Sequence, residues 1–378
     1  MIRNYSQAVL SKVVFAAALL FTCSTVWASN TVQISSYFDN DTVSGAPSFE
    51  YLLLIDNRDR KVRLLDKSFN AHNTWDFPNN IGSKSLAMSA QLTKNGNLVL
   101  LTHENNITTL SWDGEQLSEI NIPAHHHFDI GTDGNIFTLL TEDDFDDKWD
   151  LELLRSDYIV EIDANGKTVW TWHAKDHLEE IIQLFSLPEP FTRPYWSYIN
   201  SISVIKETHP TNDERFKQGN LVLSLRYIGL IVIDKETGEI TWSYGKDVFE
   251  TQHNAKIIPN GNMLVFDNGI KRRRSRVLEI DTSTNKVVWE HPKEDQVQFH
   301  SQSMGYADRL PNGNTLYSIP NSGTLVEVSG NNEVTWEYNR NRTGSDALSK
   351  LMTNIFDARP YTSIYIGIIK RDHPDRKP

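Results

Sequence analysis

The chain has 378 residues, with 49 Asp+Glu against 37 Lys+Arg, a formal net charge of −12 at pH 7 and one cysteine. This acidic balance argues against a nucleic-acid partner, since phosphate binding needs a basic surface. One cysteine excludes both a disulfide framework and a Cys-rich zinc module. The length allows one large domain or two ordinary ones, and ten Trp with many β-branched residues favour a β-rich fold.

The first 28 residues have the pattern of a secretory signal peptide. Arg3 and Lys12 precede a short apolar run at 13–21, and a small-residue cleavage motif ends at Ala28. The run is too short to span a bilayer comfortably. We therefore expect residues 1–28 to be removed on export.

The single cysteine gives this segment a competing interpretation. Cys23 follows Leu20 by three residues, as in a lipidation signal, although Phe21 and Thr22 fit that pattern poorly. No later stretch approaches the roughly 20 apolar residues that a spanning helix needs. We expect residues 29–378 to form one soluble domain in the periplasm, with no membrane span.

A short turn recurs along the chain, and an apolar stretch follows each copy. Each copy has Asn, Asp or Gln before a glycine and Asn after it; the glycines are Gly96, Gly134, Gly219, Gly261 and Gly313. Asn-Gly and Asp-Gly between apolar runs indicate hairpins, because these residues tolerate the positive φ that a tight turn requires.

A second repeated unit consists of two alternating strands and ends in tryptophan. Its copies are centred on Trp75, Trp112, Trp170, Trp242, Trp289 and Trp336, of which the last three are 47 residues apart. A period of roughly 40–50 residues that carries four strands is typical of propeller blades. The sequence therefore predicts an all-β, six-bladed β-propeller with four-stranded blades, in which each terminal tryptophan fills the space between neighbouring blades.

One insertion interrupts the repeats. Residues 173–185 predict a short amphipathic helix with apolar positions at Leu178, Ile181, Ile182 and Phe185, closed by a proline-containing segment. We expect this helical insertion, at about 173–190, to lie on one rim of the propeller.

The turn spacing also indicates where a site would lie. The innermost strand of each blade lines the axial channel, so functional residues should lie just before each turn. Met88, His126, His253 and Gly305 are each eight residues before a turn glycine, and His300 lies in the loop that precedes Gly305. Several imidazoles on one axis suit either a metal site or catalysis.

Three alternative chemistries fit the sequence less well. The consecutive histidines at 125–127 would point to alternating sides of a regular strand and could not all bind one ion. No H-E-x-x-H motif is present, so we expect no metal. No G-x-S-x-G motif supports a serine hydrolase. The hairpin at 233–242 is similar to repeats of quinone-cofactor propeller dehydrogenases, which have more blades and an adjacent-Cys pair, so we expect no cofactor.

Three passages between Thr192 and Tyr338 carry a family resemblance. They read WSYINS at 196–201, QHNA followed by PNGN and FDNG at 252–269, and MG followed by RLPNGNTL at 304–316. Their order and spacing resemble those of the bacterial arylsulfate sulfotransferases. These are exported six-bladed propellers that move a sulfuryl group between phenols without a nucleotide donor.

The resemblance implies a site, a reaction and two small-molecule partners. It places the catalytic residues at His253, Arg276 and His300, with His300 as the nucleophile that forms a covalent sulfohistidine. The expected substrate-binding residues are Tyr198, Asn200, Arg226, His126, His127 and Trp196. An aryl sulfate would be the donor and a phenol the acceptor, with ping-pong kinetics.

One position departs from the family pattern. Tyr198 stands where the family has a histidine, and a tyrosine can donate to a sulfate oxygen but carries no positive charge. This substitution keeps a second hypothesis open, namely an exported propeller without catalysis that binds a ligand or serves as a scaffold. A homodimer is also left open.

Overall fold

The computed structural model describes residues 32–33, 41–79, 81–82, 85–103, 106–146, 151–188, 194–341 and 346–372. Over these residues the strands form six antiparallel sheets, the blades of a β-propeller. This confirms the six-bladed fold predicted from the repeats. The predicted signal peptide and Cys23 lie outside the described residues.

The first half of the chain supplies two N-terminal strands and blades 1 to 3. The N-terminal strands are β1 (Val32–Gln33) and β2 (Thr42–Gly45); blade 1 has β3 (Tyr51–Asp56), β4 (Lys61–Asp66) and β5 (Ala71–Asp76); blade 2 has β6 (Ala87–Leu92), β7 (Leu98–Thr102), β8 (Asn106–Leu110) and β9 (Gln116–Asn121); blade 3 has β10 (His125–Ile130), β11 (Ile136–Asp146), β12 (Leu151–Ile162) and β13 (Thr168–His173). In blades 2 and 3 the strands follow chain order from the axis outwards.

The second half supplies the remaining blades and three helices. Helix α1 (Leu178–Phe185) precedes blade 4, which has β14 (Ile199–Val204), β15 (Leu221–Leu225), β16 (Gly229–Ile233) and β17 (Ile240–Tyr244); blade 5 has β18 (His253–Ile257), β19 (Met263–Asp267), β20 (Arg276–Asp281) and β21 (Lys286–His291); blade 6 has β22 (Ala307–Arg309), β23 (Thr315–Ile319), β24 (Thr324–Val328) and β25 (Val334–Asn339); then follow α2 (Ala347–Thr353), β26 (Ala358–Tyr361) and α3 (Ser363–Asp372). None of the described helices is long and apolar enough to cross a membrane.

Apolar residues fill the space between each pair of neighbouring blades. In β7, Leu98 and Leu100 pack towards blade 1, whereas Val99 and Leu101 pack towards blade 3. Alternate side chains of a strand point to opposite faces, so a strand buried on both faces is apolar throughout. The described residues contain six such clusters, one for each interface between blades.

Outer-strand tryptophans also join neighbouring blades, as predicted. Their indole Nε1 atoms donate to the outer hairpin of the next blade: Trp75 to Ser111 O at 2.8 Å, Trp172 to Gly238 O at 2.9 Å, Trp242 to Asn285 Oδ1 at 3.0 Å and Trp289 to Gly330 O at 3.2 Å. One detail of the prediction was wrong, since Trp112 lies in the turn after β8 rather than on an outer strand, although it is buried between blades 1 and 2. In blade 3 the hydrogen bond comes from Trp172, while Trp170 packs against the apolar cluster between blades 3 and 4.

The predicted helical insertion is α1. Its four apolar positions, Leu178, Ile181, Ile182 and Phe185, are buried in the same cluster as the facing strands of blades 3 and 4. The helix ends at Ser186, which adopts the left-handed conformation (φ 44°) common at helix C-termini.

Segments from both ends of the described chain close the ring. Strand β26 is the innermost strand of blade 1, and β2 pairs with the outer edge of blade 6. The buried carboxylate of Asp41, just before β2, fixes this junction. It accepts hydrogen bonds from both terminal nitrogens of Arg58 in blade 1, at 2.9 and 3.0 Å, and from the hydroxyl of Tyr338 in blade 6, at 2.7 Å.

We expect Asp41→Asn to lower the free energy of unfolding by about 3 kcal/mol, because it leaves a mostly buried guanidinium with less compensating charge. Chemical denaturation measures the loss. Asp76→Asn is the control, since Asp76 pairs with Lys61 on the surface; its effect should stay within about 0.5 kcal/mol. Equal effects of the two substitutions would contradict the closure role of Asp41.

Candidate active site

The innermost strands of blades 2 to 5 share one irregularity near their first residue. Each has a break of register with the second strand of its blade, at 87–89, 125–128, 199–201 and 253–256. Such bulges re-aim side chains and are common beside active sites. His126 and Asn254 take positive φ angles, 58° and 49°, within these breaks.

The bulges direct side chains into one small cavity, of about 50 Å³. The four positions derived from the turn spacing, Met88, His126, His253 and Gly305, all line it. The other lining residues are His127, Asn200, Ser201, Asn254, Met304, Tyr306, Phe356 and Asp357. Five blades and the C-terminal strand segment therefore contribute to a single space.

The hydrogen bonds of Asn268 fix the protonation of His253. Asn268 Nδ2 donates to the carbonyls of Ser301 and Met304, so its Oδ1 faces His253 Nδ1 at 2.6 Å. His253 Nδ1 also lies 3.1 Å from the carbonyl of Thr251, so this nitrogen carries the proton. Burial lowers the pKa of His253 to about 4, although its bond with Asn268 opposes the shift. His253 therefore lines the cavity as a neutral imidazole with an unprotonated Nε2.

His126 lies in a chain of polar contacts that leads to a buried carboxylate. Its Nδ1 is 2.7 Å from Nδ1 of His125, and Nε2 of His125 is 3.0 Å from Asp157 Oδ1. Burial, and then the neighbouring imidazoles and Arg226, lower the pKa of His126 well below its usual value. His126 is therefore a second neutral imidazole in the cavity wall.

Arg226 is a positive charge that acts on both imidazoles. Its charge lowers the pKa of His126 and of His253. Its guanidinium carbon lies 4.9 Å from the ring centre of Tyr198 and 5.3 Å from that of Tyr227. Within the described part of the chain no carboxylate forms an ion pair with Arg226, and its buried Nε has no hydrogen-bond partner. It is thus available to an anion.

Three tyrosines, Tyr195, Tyr198 and Tyr227, form what we call the tyrosine cluster beside the cavity. The ring centre of Tyr198 lies 4.6 Å from that of Tyr195, 5.5 Å from that of Tyr227 and 5.4 Å from that of His126. The cluster offers aromatic faces, and the half-buried ring of Tyr198, with its hydroxyl, lies next to the guanidinium of Arg226. It could hold an aryl group while Arg226 holds an anion.

His127, by contrast, has both ring nitrogens occupied. Its Nδ1 lies 2.9 Å from the carbonyl of Ile202, and Arg359 donates to its Nε2 at 3.1 Å. It separates the small cavity from a larger one, of about 230 Å³, further along the axis. The lysines and the arginine of the larger cavity are paired, Lys206 with Asp129, Lys256 with Asp308 and Arg359 with Asp357. The predicted substrate role of His127 therefore conflicts with its contacts.

The structure does not bring Arg276 to the histidines. It lies on β20, two strands out from His253, and its guanidinium binds Asp267, Glu290 and the carbonyl of Val248. It lines an open groove on the outside of blades 5 and 6 instead. Arg226 is not among the residues that line the cavity either, but its charge acts on both His126 and His253.

Three other predicted positions differ in where they lie. Asn200 lines the cavity, and its buried Oδ1 has no hydrogen-bond partner in the described structure. His300 is not among the lining residues, and its Nε2 is buried without a partner in the same part of the chain. Trp196 is fully buried in the apolar cluster between blades 3 and 4. Burial there corrects the expectation that Trp196 contacts substrate.

Sequence reasoning missed Asp157, His125 and Asp357. Asp157 is completely buried, but it follows Arg155 and Ser156 in a strand of mixed polarity, so the sequence carried no clear signal for it. Asp357 precedes β26, whose place in blade 1 no repeat indicated. In the described residues no group of three or more His, Cys, Asp or Glu is arranged to hold a metal ion.

The sequence model of the arylsulfotransferase (ASST) family matches residues 89–342, about two thirds of the chain. The chain belongs to this family. The match begins within β6 and covers the rest of blade 2 and blades 3 to 6, with the three histidines of the cavity and Arg226. It supports sulfotransferase activity in general and small-molecule substrates for this arylsulfotransferase-family chain.

One solved structure has the same fold at low sequence identity. A protein of unknown function from Bacteroides caccae is 16% identical, with a TM-score of 0.52 over 82% of this chain and 98% of that one. A streptogramin B lyase is 13% identical, with a TM-score of 0.47 over 82% and 90% of the two chains. No curated protein sequence matches the chain.

The histidine environments predict how stability depends on pH. Burial lowers the pKa of His253, His127 and His291 to about 4, whereas an unfolded histidine titrates near 6.5. Between pH 6.5 and 4 the unfolded chain therefore binds more protons, so the free energy of unfolding should fall as the pH falls. The loss should be on the order of 3 kcal/mol for each residue.

Denaturation at several pH values measures this slope. His253→Gln should make it shallower between pH 4 and 6.5, because one buried neutral imidazole is removed. Val288→Ala, at an exposed position without a titratable group, is the control and should leave the slope unchanged. An unaltered slope in His253→Gln would contradict the assigned protonation state.

Proposed function

We propose that this protein transfers a sulfuryl group from an aryl sulfate ester to a phenolic acceptor through a covalent sulfohistidine. One observation carries the proposal: His126 and His253 line a single cavity as neutral imidazoles, next to an arginine that no described carboxylate pairs. Membership of the arylsulfotransferase family supports the reaction class. Two half-reactions at one site predict ping-pong kinetics.

Sulfuryl transfer resembles phosphoryl transfer in its demands on a protein. Charge spreads over three non-bridging oxygens while the attacking and leaving atoms lie in line, so a site must supply positive charge and donors to those oxygens. Arg226 supplies a guanidinium, and the hydroxyl of Tyr198, whose ring lies against it, can donate a further hydrogen bond. The site needs no metal for this role.

We propose His253 as the nucleophile. A neutral imidazole attacks sulfur without prior deprotonation, and the bond between Asn268 and Nδ1 leaves Nε2 of His253 free for that attack. The family resemblance assigned this role to His300. That assignment finds less support, since His300 does not line the cavity.

The small size of the cavity, about 50 Å³, suits the sulfuryl end of the substrate. The aryl ring would lie beside it, against the tyrosine cluster and Arg226. Tyr198, which replaces the family histidine, would act here through its ring and hydroxyl rather than through a charge.

We also propose that the mature protein acts in the periplasm, as the signal-peptide pattern of residues 1–28 suggests. Fractionation of cells that express the full chain tests this. Recovery of the chain in the cytoplasm with residues 1–28 attached would contradict it.

The reaction is tested with 4-nitrophenyl sulfate and phenol. We expect nitrophenolate release that depends on phenol, with parallel lines in double-reciprocal plots. Release without acceptor would indicate hydrolysis instead. Absence of release with a panel of sulfate esters would favour the binding or scaffold hypothesis.

The nucleophile is tested by labelling with a ³⁵S-labelled aryl sulfate in the absence of acceptor. His253→Ala should abolish the acid-labile label, because the attacking nitrogen is gone, whereas His300→Ala should keep it. The reverse pattern would restore the role that the family resemblance gave to His300.

The role of Arg226 is tested by kcat/KM for the donor. Arg226→Met should lower kcat/KM by about 10²- to 10³-fold, the usual effect of removing one transition-state donor, and Arg226→Lys by less. Arg276→Met is the comparison. It should lower stability through its lost ion pairs yet leave kcat/KM of the folded protein near wild type. A loss of kcat/KM in Arg276→Met larger than that in Arg226→Met would contradict the assignment of the anion-binding role to Arg226 instead of Arg276.

A further inference from the structure

We propose that Asp157 and His125 are positioning residues that hold the proton of His126 on Nδ1, so that His126 Nε2 takes the proton of the phenolic acceptor. This inference rests on the proposed function. It assigns different roles to two histidines of the cavity: His253 is the nucleophile and His126 is the general base.

The far end of the chain of contacts is rigidly held. Asp157 is fully buried, and its Oδ2 accepts hydrogen bonds from the hydroxyl of Ser197 at 2.5 Å and the backbone N–H of Ile199 at 2.6 Å. Its Oδ1 accepts from the hydroxyl of Tyr195 at 2.6 Å and faces Nε2 of His125. A carboxylate held by three donors has a fixed position from which to orient an imidazole.

The protonation of both rings follows from that carboxylate. Nε2 of His125 is buried and makes no hydrogen bond in the described structure, but Asp157 Oδ1 lies 3.0 Å from it. The negative charge of that carboxylate favours a proton on Nε2, which leaves Nδ1 of His125 as an acceptor. At 2.7 Å from it, His126 Nδ1 must then be the donor. The remaining nitrogen, His126 Nε2, carries a lone pair and belongs to a ring that lines the cavity.

His127 also lines the cavity but has both ring nitrogens occupied. The other two cavity histidines, His126 and His253, differ in what supports a positive charge. His253 Nδ1 donates to neutral oxygens, those of Asn268 and Thr251. His126 is connected through His125 to a carboxylate, which stabilises an imidazolium in the way that an acid stabilises the histidine of a catalytic triad. The group that gains a proton during transfer should be the one with the carboxylate behind it.

The step balances as follows. The acceptor oxygen attacks sulfur, the S–N bond to His253 breaks, and the electron pair of that bond returns to His253 Nε2. The acceptor proton passes to His126 Nε2. The positive charge of His126 is then stabilised by Asp157 through His125, and we call these three residues the relay. In the next cycle that proton is given to the phenolate that leaves the donor, so the site needs no other proton source.

The test compares two acceptors in the full-length protein, with 4-nitrophenyl sulfate as donor. Phenol must lose a proton on attack, whereas pentafluorophenol is already ionised at neutral pH. His125→Gln and Asp157→Asn should lower turnover with phenol by about 10²-fold and with pentafluorophenol by less than about tenfold. The pre-steady-state burst, which reports attack on the donor, should remain.

His125→Gln keeps the bonds of Ser197 and Ile199 to Asp157 intact and is the safer variant if Asp157→Asn does not fold. Glu180→Gln is the control. It removes a carboxylate on α1 that pairs with His177, far from the relay in sequence, and its turnover with both acceptors should match wild type. Equal losses with phenol and pentafluorophenol would show damage to structure alone and overturn the relay. So would unchanged turnover with phenol.

A second measurement does not depend on activity. Spectra of protein labelled with ¹⁵N-histidine, assigned with His126→Gln, should show His126 protonated at Nδ1 and not at Nε2, and Asp157→Asn should shift that balance. A His126 protonated at Nε2 in the wild type would overturn the proposal. If wild type has no sulfotransferase activity, the proposed function fails while these spectra still decide the relay.

Discussion

A four-stranded blade with two apolar faces is stable only if another blade covers each face. The alternating side chains of β7 show the constraint, since two of its leucines face blade 1 while Val99 and Leu101 face blade 3. A row of such sheets exposes an apolar face at both ends unless it closes into a ring. Closure here uses two chain segments and the buried carboxylate of Asp41. Once the ring exists, every innermost strand faces the axis.

The site is a consequence of how those innermost strands are distorted. A regular strand would direct alternate residues towards the two neighbouring blades, away from the axis. The bulges in blades 2 to 5 break this alternation and direct Met88, His126, Asn200 and Asn254 into one space. Burial in that space keeps both cavity imidazoles neutral, and Arg226 supplies the charge that an anion requires. The ring therefore places the innermost strands at the axis, and the bulges in those strands build the site there.

The sequence was informative where physical rules repeat and uninformative where they are broken. Turn glycines and outer-strand tryptophans predicted six blades, and counting back from the turns located His126 and His253 on the cavity wall. The same rule could not place Asn200, because the loop between β14 and β15 is longer than in the other blades. Strand alternation predicted that consecutive histidines point apart, but the bulge in β10 brings the rings of His125 and His126 into contact. Arg276 was assigned by likeness, and only coordinates reveal that acids already occupy its guanidinium.

Strand β26 has a consequence for the timing of assembly. The blade that is synthesised first, β3 to β5, lacks its axial strand until residues 358–361 arrive from more than 280 positions downstream. Asp357 and Phe356, which wall the cavity, arrive with it. The blades between β5 and β26 can therefore form first, but the pocket cannot be complete before the final strand is in place. Biosynthesis thereby keeps incomplete chains from carrying a finished site.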